Sequence, residues 1–275
     1  MEAEEKLAAL AAACRAAGTS LLPESLGERW QRLLCLDAVA GANAHRVAMA
    51  HLRASGALFG LIPELREGEG VAQRADYHTH DVLTHNVEAF GYAPPRPALR
   101  MAALLHDVGK PRALRETGRM LGHDRIGGEL AEEICARLGM EGAYVARLIR
   151  YHMWDLDGRA KAATQRRRIV AWGPAFVRDL ACLREADVWG SGVSLGPVRE
   201  ADAWRATLAE LEARGVPFAP GELALDAEDL ARELGLSPAE AQRLQGRLLE
   251  RVQRCPSLNG RGQLLRLAKR MEGWK

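Results

Sequence analysis

The chain has 275 residues, a formal net charge of +2, 48% hydrophobic residues of the AVILMFWYC set and 5% aromatics. That length allows one large domain or two small ones with a real core. No apolar run approaches the roughly 20 residues that a bilayer-spanning helix needs, and the acidic start MEAEEKLAAL makes a poor secretory signal.

Ala, Leu, Arg and Glu dominate while Val, Ile and Thr are scarce, a composition that favours helices over strands. In chain order, periodicity predicts helices over 4–17, 28–40 and 44–55. LIPEL (61–65) and a Gly/Glu-rich loop (66–70) break the pattern. Further helices are predicted over about 77–90, 96–106, 124–138, 142–153, 162–171 and 175–189. The Gly-rich stretch WGSGVSLGP precedes a helix over 199–213. In the tail, Asp226 can cap a helix that Gly235 ends. Ser237, Pro238 and Glu240 form a capping box with Pro at the first helical position. A last helix covers about 260–271. No convincing strand appears, so the expected fold is all-α: a helical bundle with flanking N- and C-terminal helices. The expected division is 1–68, 69–195 and 196–275.

Charge is unevenly spread. Residues 243–275 hold nine Arg/Lys and two Glu, a net +7, so the rest of the chain carries −5. Arg243, Arg247, Arg251 and Arg254 form one stripe on the helix after the capping box, opposite Leu244, Leu248 and Val252. Such a stripe is either an RNA-binding face or an ordinary solvated face. The five cysteines, at 14, 35, 135, 182 and 255, lack CxxC spacing. That usage fits reduced thiols in a cytoplasmic protein.

The chemistry-bearing signal is where His and Asp fall on the apolar stripes. His106 and Asp107, in ALLHDVGKP, end a helix whose inner face is Leu99, Ala102 and Ala103. His85 shares a face with Val82 and Ala89, His152 continues the face of Val145, Leu148 and Ile149, and Asp187 continues that of Phe176, Leu180 and Leu183. His123 aligns with Leu130 and Ile134. Burying such groups without partners costs several kcal/mol. A metal centre supplies every one of them with a partner. Imidazoles and carboxylates suit Mn, Fe, Ni and Zn, and Mg less readily. The absence of cysteine points to a catalytic rather than a structural site.

The order His85, His106-Asp107, His123, His152, Asp187 resembles the HD superfamily of metal-dependent phosphohydrolases. The resemblance implies one metal on His85, His106, Asp107 and Asp187, and a second on His123 and His152, with Asp107 bridging. Two such metals lower the pKa of a bound water toward about 7 and neutralise an attacked phosphate. Asp107 and Lys110 would be the catalytic pair. Lys110 either faces the substrate phosphate or is a surface lysine at a helix C-terminus. His78 and Asp81, sharing the inward face of His85, are either substrate contacts or structural.

A wider resemblance rests on SLGERW, SGALFGLIPEL, YHTHDVLTH, ALLHDVGKP, GHDRIGG and READVWG, which occur in the order found in bacterial tRNA nucleotidyltransferases, the CCA-adding enzymes and their poly(A) polymerase relatives. It covers roughly residues 20–275. That family carries a polymerising head before this region, with a Gly-Gly loop leading to an Asp-x-Asp pair, and that combined arrangement is not found here; the helix start at Gly127-Gly128 lacks the carboxylates. The resemblance therefore implies the hydrolytic half: a phosphatase or 2′,3′-cyclic phosphodiesterase acting on nucleotides or RNA ends. A dinucleoside polyphosphate hydrolase is one alternative. Another is an RNA-binding body, with tRNA as partner, that is non-catalytic or works with a separate head.

Overall fold

The computed structural model describes residues 1–20 and 25–273, and helices are the regular structure throughout the described residues. Sixteen α-helices follow in order: α1 (Ala3–Ala16), α2 (Leu26–Leu34), α3 (Asp37–Ala40), α4 (Ala44–Ala54), α5 (Ala57–Leu61), α6 (Val82–Tyr92), α7 (Pro97–Leu105) and α8 (Lys110–Thr117). The second half contains α9 (His123–Arg137), α10 (Ala143–Tyr151), α11 (Ala162–Trp172), α12 (Pro174–Gly190), α13 (Arg199–Ala213), α14 (Ala227–Leu234), α15 (Pro238–Arg254) and α16 (Arg261–Met271). The fold is all-α, as the composition requires. Among the described residues no helix is long and apolar enough to cross a membrane, and the five cysteines are all free.

The chain forms two compact units, residues 1–158 with 179–202, and residues 159–178 with 203–275. They cut across the division at 68 and 195 expected from sequence.

In the first unit α1, α2 and α4 pack together, and α2 and α4 reach α7 and α6 respectively. Leu10, Trp30, Leu33, Leu52, Leu58 and Phe90 are buried there. Arg100, buried in α7, ties the layers. It donates from Nη1 to the Leu34 carbonyl (2.5 Å), from Nη2 to Asp37 Oδ2 (2.7 Å) and from Nε to the Ala93 carbonyl (3.0 Å). α9 and α10 pack against each other and against α7.

Two departures from the sequence expectation bear on the site. The helix predicted from 77 begins at Val82. Asp81 caps it, its Oδ1 accepting from the Thr84 amide at 2.7 Å and its Oδ2 from the Gly70 amide at 2.8 Å. An aspartate that satisfies orphan amides is worth more as a cap than as one more helical residue. The other difference is α8, absent from the sequence reading, where Gly109-Lys110-Pro111 marks an end. The chain does stop at α7, but Pro111 sits in the first turn of a new helix, where its missing N–H costs nothing.

In the second unit Leu225, Leu230, Leu234, Leu244, Leu248, Val252 and Leu264 form the core of α14–α16. The Ser237/Glu240 capping box is present, with the Ser237 amide donating to Glu240 Oε2 at 2.9 Å. Gly235 takes φ +61° to end α14. In the basic stretch 165–168, Arg166 pairs with Glu210 (3.1 Å) and Gln165 accepts from Thr207 (2.9 Å), both on α13.

Candidate metal centre

Five helices of the first unit bring their polar ends together. His85 lies one turn into α6. His106 caps the C-terminus of α7 and Asp107 follows it. His123 opens α9, His152 caps the C-terminus of α10, and Asp187 lies near the end of α12. All six are buried.

The turn after α7 sits hard against α9. A Cβ on Gly109 would collide with the His123 carbonyl oxygen and lie 2.7 Å from the Gly127 amide nitrogen. Glycine is therefore required in HDVGKP for the two backbones to approach, and Gly127 is part of the same contact.

Three of the histidines are fixed by the carbonyl three residues earlier. Nδ1 of His106 donates to Ala103 O (2.8 Å), that of His123 to Met120 O (2.7 Å) and that of His152 to Ile149 O (2.6 Å). For His106 and His152 these are carbonyls of the last helical turn, so one bond both ties the ring to the helix end and sets the ring tautomer. A carbonyl can only accept, so Nδ1 carries a proton, and in the neutral ring Nε2 presents a lone pair.

Those lone pairs converge. His85 Nε2 lies 2.9 Å from His106 Nε2, and His123 Nε2 lies 3.3 Å from His152 Nε2. Asp107 stands between the pairs. Its Oδ2 is 3.3 Å from His85 Nε2 and 3.4 Å from His106 Nε2. Its Oδ1 is 3.1 Å from His123 Nε2 and 3.7 Å from His152 Nε2. Asp187 Oδ1 joins the first pair, 3.1 Å from His85 and 3.4 Å from His106. His85, His106 and Asp107 form one group with metal-binding spacing; Asp107, His123 and His152 form another.

This arrangement fits divalent cations on its own chemistry. Neither Asp107 oxygen accepts a well-formed hydrogen bond, although both are buried, and His85 Nδ1 is also buried without one. Burial opposes charging the His106 ring, but Asp107 and Asp187 overcome it and raise its pKa to about 10. Burial would likewise raise the carboxyl pKa of Asp107, yet Lys110 and His106 hold it well below the usual range. A proton on one nitrogen of a facing pair relieves that pair alone. Cations between the pairs relieve all four rings and both carboxylates.

The remaining expected residues fall differently. Lys110 is buried beside the cluster, its Nζ 2.5 Å from Asp107 Oδ2 and 2.7 Å from Gln73 Oε1. It opens α8 and so is at a helix N-terminus, not the surface lysine at a helix C-terminus of the alternative reading. His78 reaches the cluster from the loop before α6, its ring edge-on to His85 at 4.5 Å between centroids. Burial, His85 and Lys110 lower its pKa to about 4, which keeps it neutral near pH 7. Asp81 does not share this surface, because both its oxygens are spent on backbone amides.

In the second unit Arg243, Arg247, Arg251 and Arg254 are all exposed on α15. Arg247 pairs with Glu272 at 2.7 Å; among the described residues the other three form no salt bridge.

Two polar partners escaped the sequence reading. Arg184 holds Asp187 Oδ2 at 2.7 Å, a pairing that its i−3 spacing on α12 could have signalled. Gln73 lies in an irregular segment and gave no periodic signal.

The HD domain family matches residues 73–188, which span every member of this cluster. The chain carries an HD domain. Its relatives extend the likeness beyond the cluster. It is 39% identical over 203 residues to an A-adding tRNA nucleotidyltransferase of Deinococcus radiodurans, covering 68% of this chain and 45% of that protein. It is 40% identical over 92 residues to a multifunctional CCA protein of Cupriavidus necator, covering 32% of this chain and 22% of the relative. A multifunctional CCA protein of Burkholderia orbicola is 30% identical over 174 residues, covering 58% and 42% respectively. The HD domain and its flanking helices are thus homologous to part of the tRNA nucleotidyltransferases, and the matches span less than half the length of these relatives.

Proposed function

We propose that the HD domain is a two-metal phosphohydrolase that cleaves a phosphoester in a nucleotide or at an RNA end. The observation that carries this reading is Asp107, which turns one oxygen to His85 and His106 and the other to His123 and His152. Divalent cations held there, Mn, Fe, Ni or Zn by the donor set with Mg less suited, supply Lewis acidity and a water acidified toward neutral pH.

The chain's own residues do the rest. His85, His106, Asp107 and Asp187 would hold one cation, and His123 and His152 with Asp107 would hold the other. Arg184 keeps Asp187 turned inward. Lys110 offers a positive charge to a phosphate oxygen, and His78, neutral near pH 7, presents a ring nitrogen to substrate. The test is turnover of 2′,3′-cyclic nucleotides, nucleoside monophosphates and dinucleoside polyphosphates with each metal, wild type beside Asp107→Asn. Turnover of the first two classes, lost in the variant, supports the reading. Turnover confined to dinucleoside polyphosphates reassigns the substrate, and no turnover with any metal removes the reading.

A second reading has its own observation. Exposed Arg243, Arg251 and Arg254 form no salt bridge among the described residues and lie one helical turn apart with Arg247. We infer that this face binds RNA, in keeping with relatives named for tRNA. Four phosphate contacts give a log–log salt slope of roughly −3 to −4. Salt-sensitive tRNA binding that survives His106→Ala, without hydrolysis, makes the chain an RNA-binding body.

A further inference from the structure

Lys110 is buried with its Nζ 2.5 Å from Asp107 Oδ2, and its second partner is a neutral side chain. Its Nζ donates to Gln73 Oε1 at 2.7 Å. The orientation of that amide is set from its other end, because Gln73 Nε2 donates to the His80 carbonyl at 3.3 Å. A carbonyl cannot donate, so the amide nitrogen must face His80 and the amide oxygen must face the lysine.

The segment that positions Gln73 is itself pinned. The Thr79 amide and hydroxyl both donate to the Ser191 carbonyl, at 2.9 and 3.1 Å. The Val82 amide donates to the Val71 carbonyl at 3.1 Å. Gly192 next to this latch has φ +76°, and a Cβ there would collide with Thr79 Oγ1. A chain of hydrogen bonds therefore runs from the end of α12, through Thr79 and His80, to Gln73 and Lys110.

We propose that Gln73 is a positioning residue that holds the Lys110 ammonium beside the metal centre without neutralising it, leaving its positive charge for a substrate phosphate. Resting on the hydrolase reading above, this explains a feature that reading leaves unused. Lys110 has two side-chain oxygen neighbours among the described residues, Asp107 Oδ2 and Gln73 Oε1. If Oδ2 serves as a metal ligand, Gln73 is the remaining anchor. A glutamate at 73 would hold the lysine equally well but cancel its charge, because a carboxylate–ammonium contact is an ion pair and an amide–ammonium contact is not. An ammonium is a compact charge on a flexible stem and needs such an anchor to be pre-aimed.

The experiment is calorimetric titration of metal-loaded protein with inorganic phosphate, using wild type, Gln73→Glu, Gln73→Met, Lys110→Met and both Gln73 variants in the Lys110→Met background. Metal content is measured for each. Gln73→Glu is expected to weaken phosphate binding at least tenfold and Gln73→Met several-fold, with metal content unchanged. Both effects are expected to shrink below twofold once Lys110 is gone, which a merely structural role would not produce. Phosphate bound by wild type but unaffected by either Gln73 variant overturns this inference alone. Equal losses with and without Lys110 also overturn it, since Gln73 would then act on phosphate or on the fold directly. Failure of metal-loaded wild type to bind phosphate removes the hydrolase reading and this inference with it.

Discussion

His85 and His106 point their Nε2 atoms at one another across 2.9 Å, and the Nδ1 proton of His106 is already committed to the Ala103 carbonyl. Between neutral rings this is a hydrogen bond only if His85 carries its proton on Nε2, which leaves its buried Nδ1 an unpaired acceptor. If the two rings instead share a cation, several consequences can be measured.

The ligand groups are unequal. His123→Ala or His152→Ala is expected to remove one metal and keep the other, whereas Asp107→Ala loses both because its oxygens serve both groups. His152→Ala also deletes a helix-end hydrogen bond to Ile149, at a cost of about 0.5–1.5 kcal/mol. Thermal unfolding beside elemental mass spectrometry separates the two effects.

Arg184→Ala is expected to lower metal affinity by about 10–100-fold with little change in fold. Arg184 orients Asp187 through the oxygen that faces away from His85 and His106. Competition with a metallochromic chelator reads this directly. Unchanged affinity means that Asp187 is held without it.

Gly109→Ala tests the backbone approach that builds the site. The added Cβ meets the His123 carbonyl and the Gly127 amide, both of which are backbone and cannot rotate away. A loss of about 1–3 kcal/mol in stability is expected, together with weaker binding of the His123/His152 metal, because α9 must shift. Denaturant unfolding and metal content check the two parts.

Away from the cluster, Asp37 gives the first unit an acid-sensitive tie. Burial would raise its carboxyl pKa, but Arg100 and His45 lower it below the ordinary aspartate value. A carboxyl with a depressed folded pKa contributes fully above its unfolded value and loses that contribution as pH falls through the folded one. Wild type should therefore lose stability as pH drops below about 4, and Asp37→Asn should lack that component. Asp37→Ala, which leaves buried Arg100 without its carboxylate, is expected to cost about 3–5 kcal/mol at neutral pH. Urea unfolding from pH 3 to 7 measures both.

Much of this centre was legible because helices write their buried face into the sequence. His106, His85 and His152 sit where apolar stripes of period 3.6 end, and all are buried. The polar supports were harder to read. Gln73 acts from an irregular segment across 37 residues, with no periodicity to betray it. Asp81 looked like another inward-facing group because the helix seemed to start earlier, and its cap geometry decided otherwise. α8 was hidden by Gly109 and Pro111, residues that usually end a helix but here end one and begin the next. Gly109 looked like punctuation, and only the packing of its backbone against α9 shows why no side chain fits.

The most direct test of the central claim, that Asp107 bridges two metal sites, is the metal stoichiometry of reconstituted protein by elemental mass spectrometry for wild type, His152→Ala and Asp107→Ala. The account predicts two equivalents in wild type, one in His152→Ala and none in Asp107→Ala. A single equivalent in wild type that His152→Ala leaves intact, or two equivalents that survive Asp107→Ala, would contradict it.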